Sequence, residues 1–152
     1  MDFALFQPDI AGNVGTSLRT AACFGIGAHI IEPCGFPFSE QALKRAGMDY
    51  AARAMIHRHA DWASFCNWKN TQKKRLILFT TKAATPLPDF SFSADDLLLF
   101  GSESSGVPDY VQDFADARVV IPMQASFRSL NVAVSAGIAM AEALRQTKGF
   151  PA

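Results

Sequence analysis

The sequence predicts one α/β domain: a parallel sheet with helices on both faces. Three observations predict it. Strand-like and helix-like stretches alternate along the chain. The strand-like runs are continuously apolar, as in Leu76-Ile77-Leu78-Phe79 and Leu97-Leu98-Leu99-Phe100, where a half-solvated strand would alternate. No repeat, low-complexity tract or linker divides the 152 residues, a length that suits a single domain over 1–152.

Each element has a local reason. An apolar run over 3–6 ending at Pro8 is the first strand. Gly12-Asn13 punctuates, and Val14, Leu18, Ala21 and Ala22 then recur at helical spacing until Gly25 and Gly27 stop the helix. Residues 28–32 form a second strand closed by Pro33. Ser39 caps a short helix to Arg45, with Gly47 as its stop. A third strand is expected over 54–57, and Asp61 caps a helix carrying Trp62, Phe65 and Cys66. Strands follow at 76–80 and 97–100, separated by residues 83–96, which carry Pro86 and Pro88 and are expected to be loop. Pro108 opens a helix to Phe114. The last strand is 118–121 and the last helix 130–146, with Ser129 at its N-cap position.

Composition narrows the function. Hydrophobic residues make up 49% and charged residues 18%, enough for a full core and too apolar for a disordered chain. Fourteen Lys and Arg balance fourteen Asp and Glu, which argues against wrapping a long duplex. A local cluster, Lys69, Lys73, Lys74 and Arg75, reads either as an RNA-facing patch or as a solvated helix end. Three cysteines without CxxC spacing suit a reducing cytoplasm, and Cys23 reads as helix core packing. No apolar run nears the roughly 18 residues of a membrane span, and no basic-then-apolar leader is visible.

Parallel sheets bind ligands beyond the carboxyl ends of their strands. Three strand ends here are polar or glycine-rich: Phe79-Thr80-Thr81, Phe100-Gly101-Ser102 and Ile121-Pro122-Met123. A serine elbow, G-x-S-x-G, fails on register, since Gly101 and Gly106 are five apart. Gly12-Asn13-Val14-Gly15-Thr16 lacks the ending of a phosphate loop, and Gly25-Ile26-Gly27 lacks the third glycine of a dinucleotide fingerprint. His57 and His59 share a strand face but have no carboxylate or thiol to complete a metal set, so a surface location is expected, while His29 reads as structural. Asn13 is expected to cap the first helix. Arg19 is either a surface residue or a guanidinium over a pocket at the sheet edge, where it could hold phosphate in bidentate fashion. In the last helix Leu130, Val134, Gly137, Ala141 and Leu144 form a stripe, with Ala133, Ala136, Ala139 and Ala143 as small neighbours. It packs on the sheet or docks on a second copy of the chain.

Three motifs in order carry a resemblance: Asn13-Val14-Gly15-Thr16-Ser17-Leu18-Arg19, the stretch from Leu98 to Pro108, and the stretch from Ile121 to Asn131 with its helix. Together they resemble the SPOUT superfamily of RNA methyltransferases, most closely the small tRNA (cytidine/uridine-34-2′-O)-methyltransferases. Ile30-Ile31-Glu32-Pro33, the stretch from Leu43 to Tyr50, and Phe79-Thr80-Thr81-Lys82 extend the likeness over 6–146. The resemblance implies a C-terminal trefoil knot, an obligate homodimer and S-adenosyl-L-methionine as cofactor. It implies cofactor contacts at Phe79, Gly101, Ile121, Ser129 and Leu130, and catalytic roles for Arg19, Asn13 and Asn131, with Glu103 shaping the site. The expected activity is cytoplasmic 2′-O-methylation of the wobble nucleotide, position 34, in a leucine tRNA, without metal or membrane. Alternatives are another tRNA or rRNA nucleotide, or a silent RNA-binding module. Ser102 and Ser105 stand where the subfamily often has proline and arginine, which removes one possible phosphate contact.

Overall fold

Two sets of apolar side chains, one on each face of a sheet, organise the chain. The computed structural model describes residues 1–45, 48–49, 52–53 and 55–152. In chain order the elements are β1 (Asp2–Phe6), α1 (Ala11–Phe24), β2 (Gly27–Ile31), α2 (Glu40–Arg45), β3 (Ile56–His59), α3 (Trp62–Gln72), β4 (Leu76–Phe79), β5 (Thr85–Pro86), β6 (Leu97–Phe100), α4 (Asp109–Phe114), β7 (Ala117–Val120) and α5 (Val132–Thr147). The seven strands lie in the order β3-β2-β1-β6-β4-β7-β5, and the pairings between them are parallel.

Strand periodicity sorts the side chains between two layers. Phe3, Leu5, Ile30, Ile77, Leu98 and Phe100 face α1 and α5, meeting Val14, Leu18, Ala136, Ala139 and Met140. Ala4, Phe6, Ile31, Leu76, Leu78, Leu97 and Leu99 face the other way, onto Phe65 of α3 and Val111 of α4. Both faces are therefore buried, as the continuous apolar runs require. Each fully buried Leu, Ile or Phe contributes about 1.5–3 kcal/mol relative to exposure.

The punctuation works as expected in several places. Gly25 ends α1 in the left-handed conformation, φ 69°, its N–H donating back to Ala21 and Ala22. The Asp61 carboxylate accepts from the Ser64 N–H at 2.8 Å and caps α3. Ser39 Oγ accepts from the Ala42 N–H at 3.2 Å at the start of α2. The expected stop at Gly47 and the expected strand start at Ala54 lie outside the described residues.

Other expectations are corrected. The third strand is displaced toward the C-terminus, to Ile56–His59, because His59 rather than an earlier residue is buried against β2. Residues 83–96 are not all loop: Thr85–Pro86 adds a short edge strand beside β7, where the missing proline N–H does no harm, and a 3-10 turn follows at Leu87–Asp89. Cys23 is exposed, because α1 turns Val14, Ser17, Leu18 and Ala21 inward instead. In α5 the buried side is the alanine series with Met140 and Leu144, while Val134 and Ile138 remain exposed. The small side chains let α5 lie close to α1; a Cβ on Gly137 would meet the Thr20 methyl at 4.0 Å.

Three members of the basic cluster, Lys69, Lys74 and Arg75, are committed to ion pairs, while Lys73 is exposed at the C-cap of α3. Lys69 pairs with Asp116 at 2.9 Å, Lys74 with Asp2 at 2.9 Å, and Arg75 grips the buried Asp96 carboxylate through Nε and Nη2 at 2.8 and 2.7 Å. These carboxylates stand at or just before the starts of β7, β1 and β6. These three pairs form a collar tying strand beginnings together, at the opposite end of the strands from the polar and glycine-rich turns.

All three histidines converge at the other end of the sheet order. His29 Nδ1 and His59 Nε2 lie 2.9 Å apart, and the His29 ring stacks on both His57 and His59. His57 is exposed as expected, whereas His59 is buried with His29. With one proton between the two nitrogens, at most one ring of the pair can be charged. Burial pulls His29 down to about 3, with Asp2 opposing and His59, His57 and Lys74 adding to the fall; burial, then His57, lowers His59 as well. Below about 6.5 the unfolded chain takes up protons that the folded chain refuses. Stability should therefore fall as pH drops from about 6.5 toward 3, by up to about 1.4 kcal/mol per pH unit from His29, with His59 adding in the same direction. Thermal melts at pH 7, 6 and 5 should show this slope, and His29→Phe should flatten it; an equal slope in the variant would remove the pair as its cause.

Candidate functional site

A cavity of about 520 Å³ opens at the carboxyl edge of β4, β6 and β7. That lies within the roughly 300–1,000 Å³ range of small-molecule sites. Its walls come from the three strand ends singled out in the sequence. Phe79 to Lys82 follow β4, Phe100 to Glu103 and Ser105 to Val107 follow β6, and Ile121 and Met123 follow β7. Ser129, Leu130, Asn131, Val132 and Ser135 close it from the start of α5, and Ile10 and Asn13 from the start of α1. Aromatic and aliphatic surface from Phe79, Phe100, Val107 and Leu130 faces polar groups from Thr80, Ser102 and the two asparagines.

The wall after β6 is a tight two-ended turn. Ser102 and Gly106 exchange main-chain hydrogen bonds at 2.9 Å in both directions, and the Ser102 and Ser105 hydroxyls meet at 2.9 Å. Glycine is required at both ends for different reasons. A Cβ on Gly101 would lie 2.5 Å from the Gly106 carbonyl carbon, and Gly106 itself has φ +65°. Gly101 is thus demanded by the turn closing on itself, in addition to its place on the cavity wall.

A directed hydrogen-bond chain ties the three motifs together. The Asn131 side-chain oxygen accepts from the N–H groups of Ala133 and Val134 at 2.8 and 3.3 Å. Asn131, not Ser129, is therefore the N-cap of α5, which starts at Val132. Its Nδ2 must then point outward, and it donates to Asn13 Oδ1 at 2.9 Å. Asn13 Nδ2 in turn donates to Glu103 Oε1 at 3.1 Å. Glu103 Oε2 accepts from the Asp9 N–H at 2.8 Å. Asn13 accordingly does not cap α1. That helix begins at Ala11 behind Ile10, which offers no side-chain cap, and Asn13 spends its amide on the network.

The structure brings Asn13, Phe79, Gly101, Glu103, Ile121, Ser129, Leu130 and Asn131 to one cavity. Arg19 is not among them. It is exposed on the outer side of α1, beside a shallow depression formed with Ala11, Gly12, Gly15 and Thr16. Six residues along a helix is a rotation of about 240°, so Arg19 cannot share Asn13's direction. Ile10, Lys82 and Ser135 line the cavity without having been expected there. Ile10 was hidden by placing the first helix start too late; Lys82 and Ser135 carry no local pattern. Among the described residues, no three His, Cys, Asp or Glu side chains are grouped to hold a metal. Nor, among them, is any helix long and apolar enough to cross a membrane.

Residues 1–141 match the SpoU rRNA Methylase family. The chain belongs to that family. It is 50% identical over 147 residues to a tRNA (cytidine(34)-2′-O)-methyltransferase of Ancylobacter novellus, covering 97% of this chain and 93% of that protein. A solved structure described as giving insights into the 2-OH methylation of C/U34 on tRNA is 39% identical, with a TM-score of 0.87 and coverage of 95% of this chain and 94% of that one. An S-adenosylmethionine-bound rRNA methyltransferase from Sinorhizobium meliloti shares 27% identity at a TM-score of 0.80, over 94% of this chain and 55% of its own. The parallel sheet with helices on both faces is thus the sheet of SpoU-type methyltransferases.

The turn at 101–106 makes a direct prediction. Gly101→Ala forces its new methyl against backbone and should lower stability by about 1–3 kcal/mol in denaturant unfolding. Ser105→Ala, which removes only a hydroxyl, should stay within about 0.5–1.5 kcal/mol of the unsubstituted protein. Equal, small losses in both would mean the close approach is relieved elsewhere.

Proposed function

We propose that this chain uses S-adenosyl-L-methionine to methylate the ribose 2′-hydroxyl of nucleotide 34, cytidine or uridine, in tRNA, with a leucine tRNA as the expected species. The observation that carries the reading is the convergence of all three motifs on one cavity at the sheet's carboxyl edge, through the Asn131–Asn13–Glu103 chain. The full-length similarity to relatives named for position-34 methylation supports the substrate.

The cavity fits an adenosyl group in chemistry as well as size. Apolar surface from Phe79, Phe100, Val107 and Leu130 suits the flat base, while the strand-end main chain and Thr80, Ser129 and Asn131 offer polar partners. When bound, the cofactor supplies a methyl group on a positively charged sulfur that leaves as a neutral thioether. The chain's own residues then have two tasks: to align the ribose hydroxyl and to ease loss of its proton. Asn13 and Asn131 are fixed by their mutual hydrogen bond and do not need to reorganise when substrate arrives. A guanidinium stays charged in proteins, so Arg19 is assigned to holding RNA phosphate and stabilising the developing alkoxide.

Arg19 lies outside the cavity of its own chain, so this role needs a second copy to present it. The exposed Val134 and Ile138 on α5, with Ile10 and Leu130 near the cavity, supply apolar surface for such a homodimer. The likeness over nearly the whole chain to SpoU-type structures supports the threaded C-terminal segment that the resemblance implies. A cytoplasmic location accords with a tRNA substrate.

Two measurements test this reading. A melting temperature that rises in excess S-adenosyl-L-methionine, equivalent to about 2.7 kcal/mol at a hundred times Kd, separates an enzyme from a silent RNA-binding module. Arg19→Ala should abolish ribose methylation while leaving cofactor affinity within about twofold, a change too small to count as a lost contact. Mixing Arg19→Ala with Asn131→Ala chains should restore activity in heterodimers that hold one intact site. Wild-type activity of Arg19→Ala by itself would place Arg19 outside the reaction, and no recovery on mixing would place it in its own chain's site.

A further inference from the structure

We propose that Asp9 is a positioning residue for the cofactor cavity, acting through the turn at 102–106 rather than by touching ligand. The inference rests on that cavity being the S-adenosyl-L-methionine site. Asp9 follows β1 and is not part of the cavity lining, yet it holds the wall after β6 by both its main chain and its side chain. Its N–H donates to Glu103 Oε2 at 2.8 Å. Its carboxylate Oδ2 accepts from the Ser104 N–H at 3.0 Å and from Ser104 Oγ at 2.5 Å. The exchange is reciprocal: loop one donates to the carboxylate of loop two, and loop two donates to the carboxylate of loop one. Such a pair fixes both the separation and the rotation of two segments 94 to 95 residues apart in sequence.

The Asp9 backbone is itself held from behind. The Gly35 N–H donates to the Pro8 carbonyl at 2.9 Å, and a Cβ on Gly35 would lie 3.1 Å from Asp9 Cα and 3.3 Å from its carbonyl oxygen. Asp9 is therefore gripped between the segment after β2 and the turn after β6. The Ser104 hydroxyl and amide keep its carboxyl below the usual carboxylate range, in keeping with an ionised acceptor. The turn it holds contributes Ser102, Glu103, Ser105 and Gly106 to the cavity. Glu103 is also the end of the Asn131–Asn13 chain, so a shift of this turn moves the cofactor wall and the two asparagines together.

The test compares Asp9→Ala, Ser104→Ala and the double variant with the unsubstituted full chain. Three quantities are read: S-adenosyl-L-methionine affinity by calorimetry, amide exchange at Ser104 without cofactor, and melting temperature. Losing charge-assisted hydrogen bonds at Asp9 should weaken affinity about tenfold or more and speed Ser104 exchange. Melting of the cofactor-free protein should fall by only a few degrees, because no core side chain moves. Ser104→Ala, which keeps the amide donor, should weaken affinity less. The double variant should be no worse than Asp9→Ala alone, since both act on one tie. Unchanged affinity in Asp9→Ala, or additive losses, overturns the proposal. If Asp9→Ala unfolds, Asp9→Asn carries the same comparison, with intermediate weakening expected and wild-type affinity and exchange overturning it. Failure of the unsubstituted protein to bind S-adenosyl-L-methionine would instead sink the functional reading, and Ser104 exchange would still decide whether Asp9 holds the turn.

Discussion

A sheet buried on both faces leaves polar chemistry only one place to go. Residues within β1, β4 and β6 are packed against helices above and below, so an unpaired donor or acceptor there would be costly. The ends of the strands escape this constraint. At one end the chain places paired charges, and at the other it opens a cavity. The functional half of the molecule follows from that division.

Gathering the cavity requires segments far apart in sequence to agree in position. Backbone pairing does this within the sheet, but the loops beyond the strand ends have no ladder. Side chains take over. Asn131 does two things with one amide: its oxygen caps the start of α5 and its nitrogen reaches Asn13. Because the oxygen is committed to α5, the amide has a fixed direction, and that direction passes on to Asn13 and then to Glu103. The same groups that satisfy helix and loop donors also shape the pocket, so folding and site assembly share their interactions.

Much of this was legible in the sequence, and for identifiable reasons. Continuous apolar runs such as Leu97-Leu98-Leu99-Phe100 reveal burial on both faces, and strand ends followed by glycine or hydroxyl residues reveal where a ligand could sit. Family resemblance supplied what periodicity lacks, a reason to join three motifs. What stayed hidden depends on long-range partners. Nothing local to Asn13 says that its amide serves Glu103 rather than its own helix. Nothing local to Lys69, Lys74 and Arg75 says that Asp116, Asp2 and Asp96 are waiting, because those carboxylates belong to other strands. His59 looked like surface because its partner, His29, is thirty residues away. Arg19 differs from these, since helical rotation is local and its surface position was one of the two readings the sequence allowed.

The collar of ion pairs makes the strand beginnings resistant to ionic strength. Lys69–Asp116 and Lys74–Asp2 are contacts of 2.9 Å between partly buried groups, well inside the screening length of about 8–10 Å, so added electrolyte weakens them only slightly. Arg75 holds a carboxylate that is almost fully shielded, and feels this least. The opposite edge is joined by amide and carboxylate hydrogen bonds at short range. Salt that screens charges on the open surface would therefore leave the strand beginnings tied together.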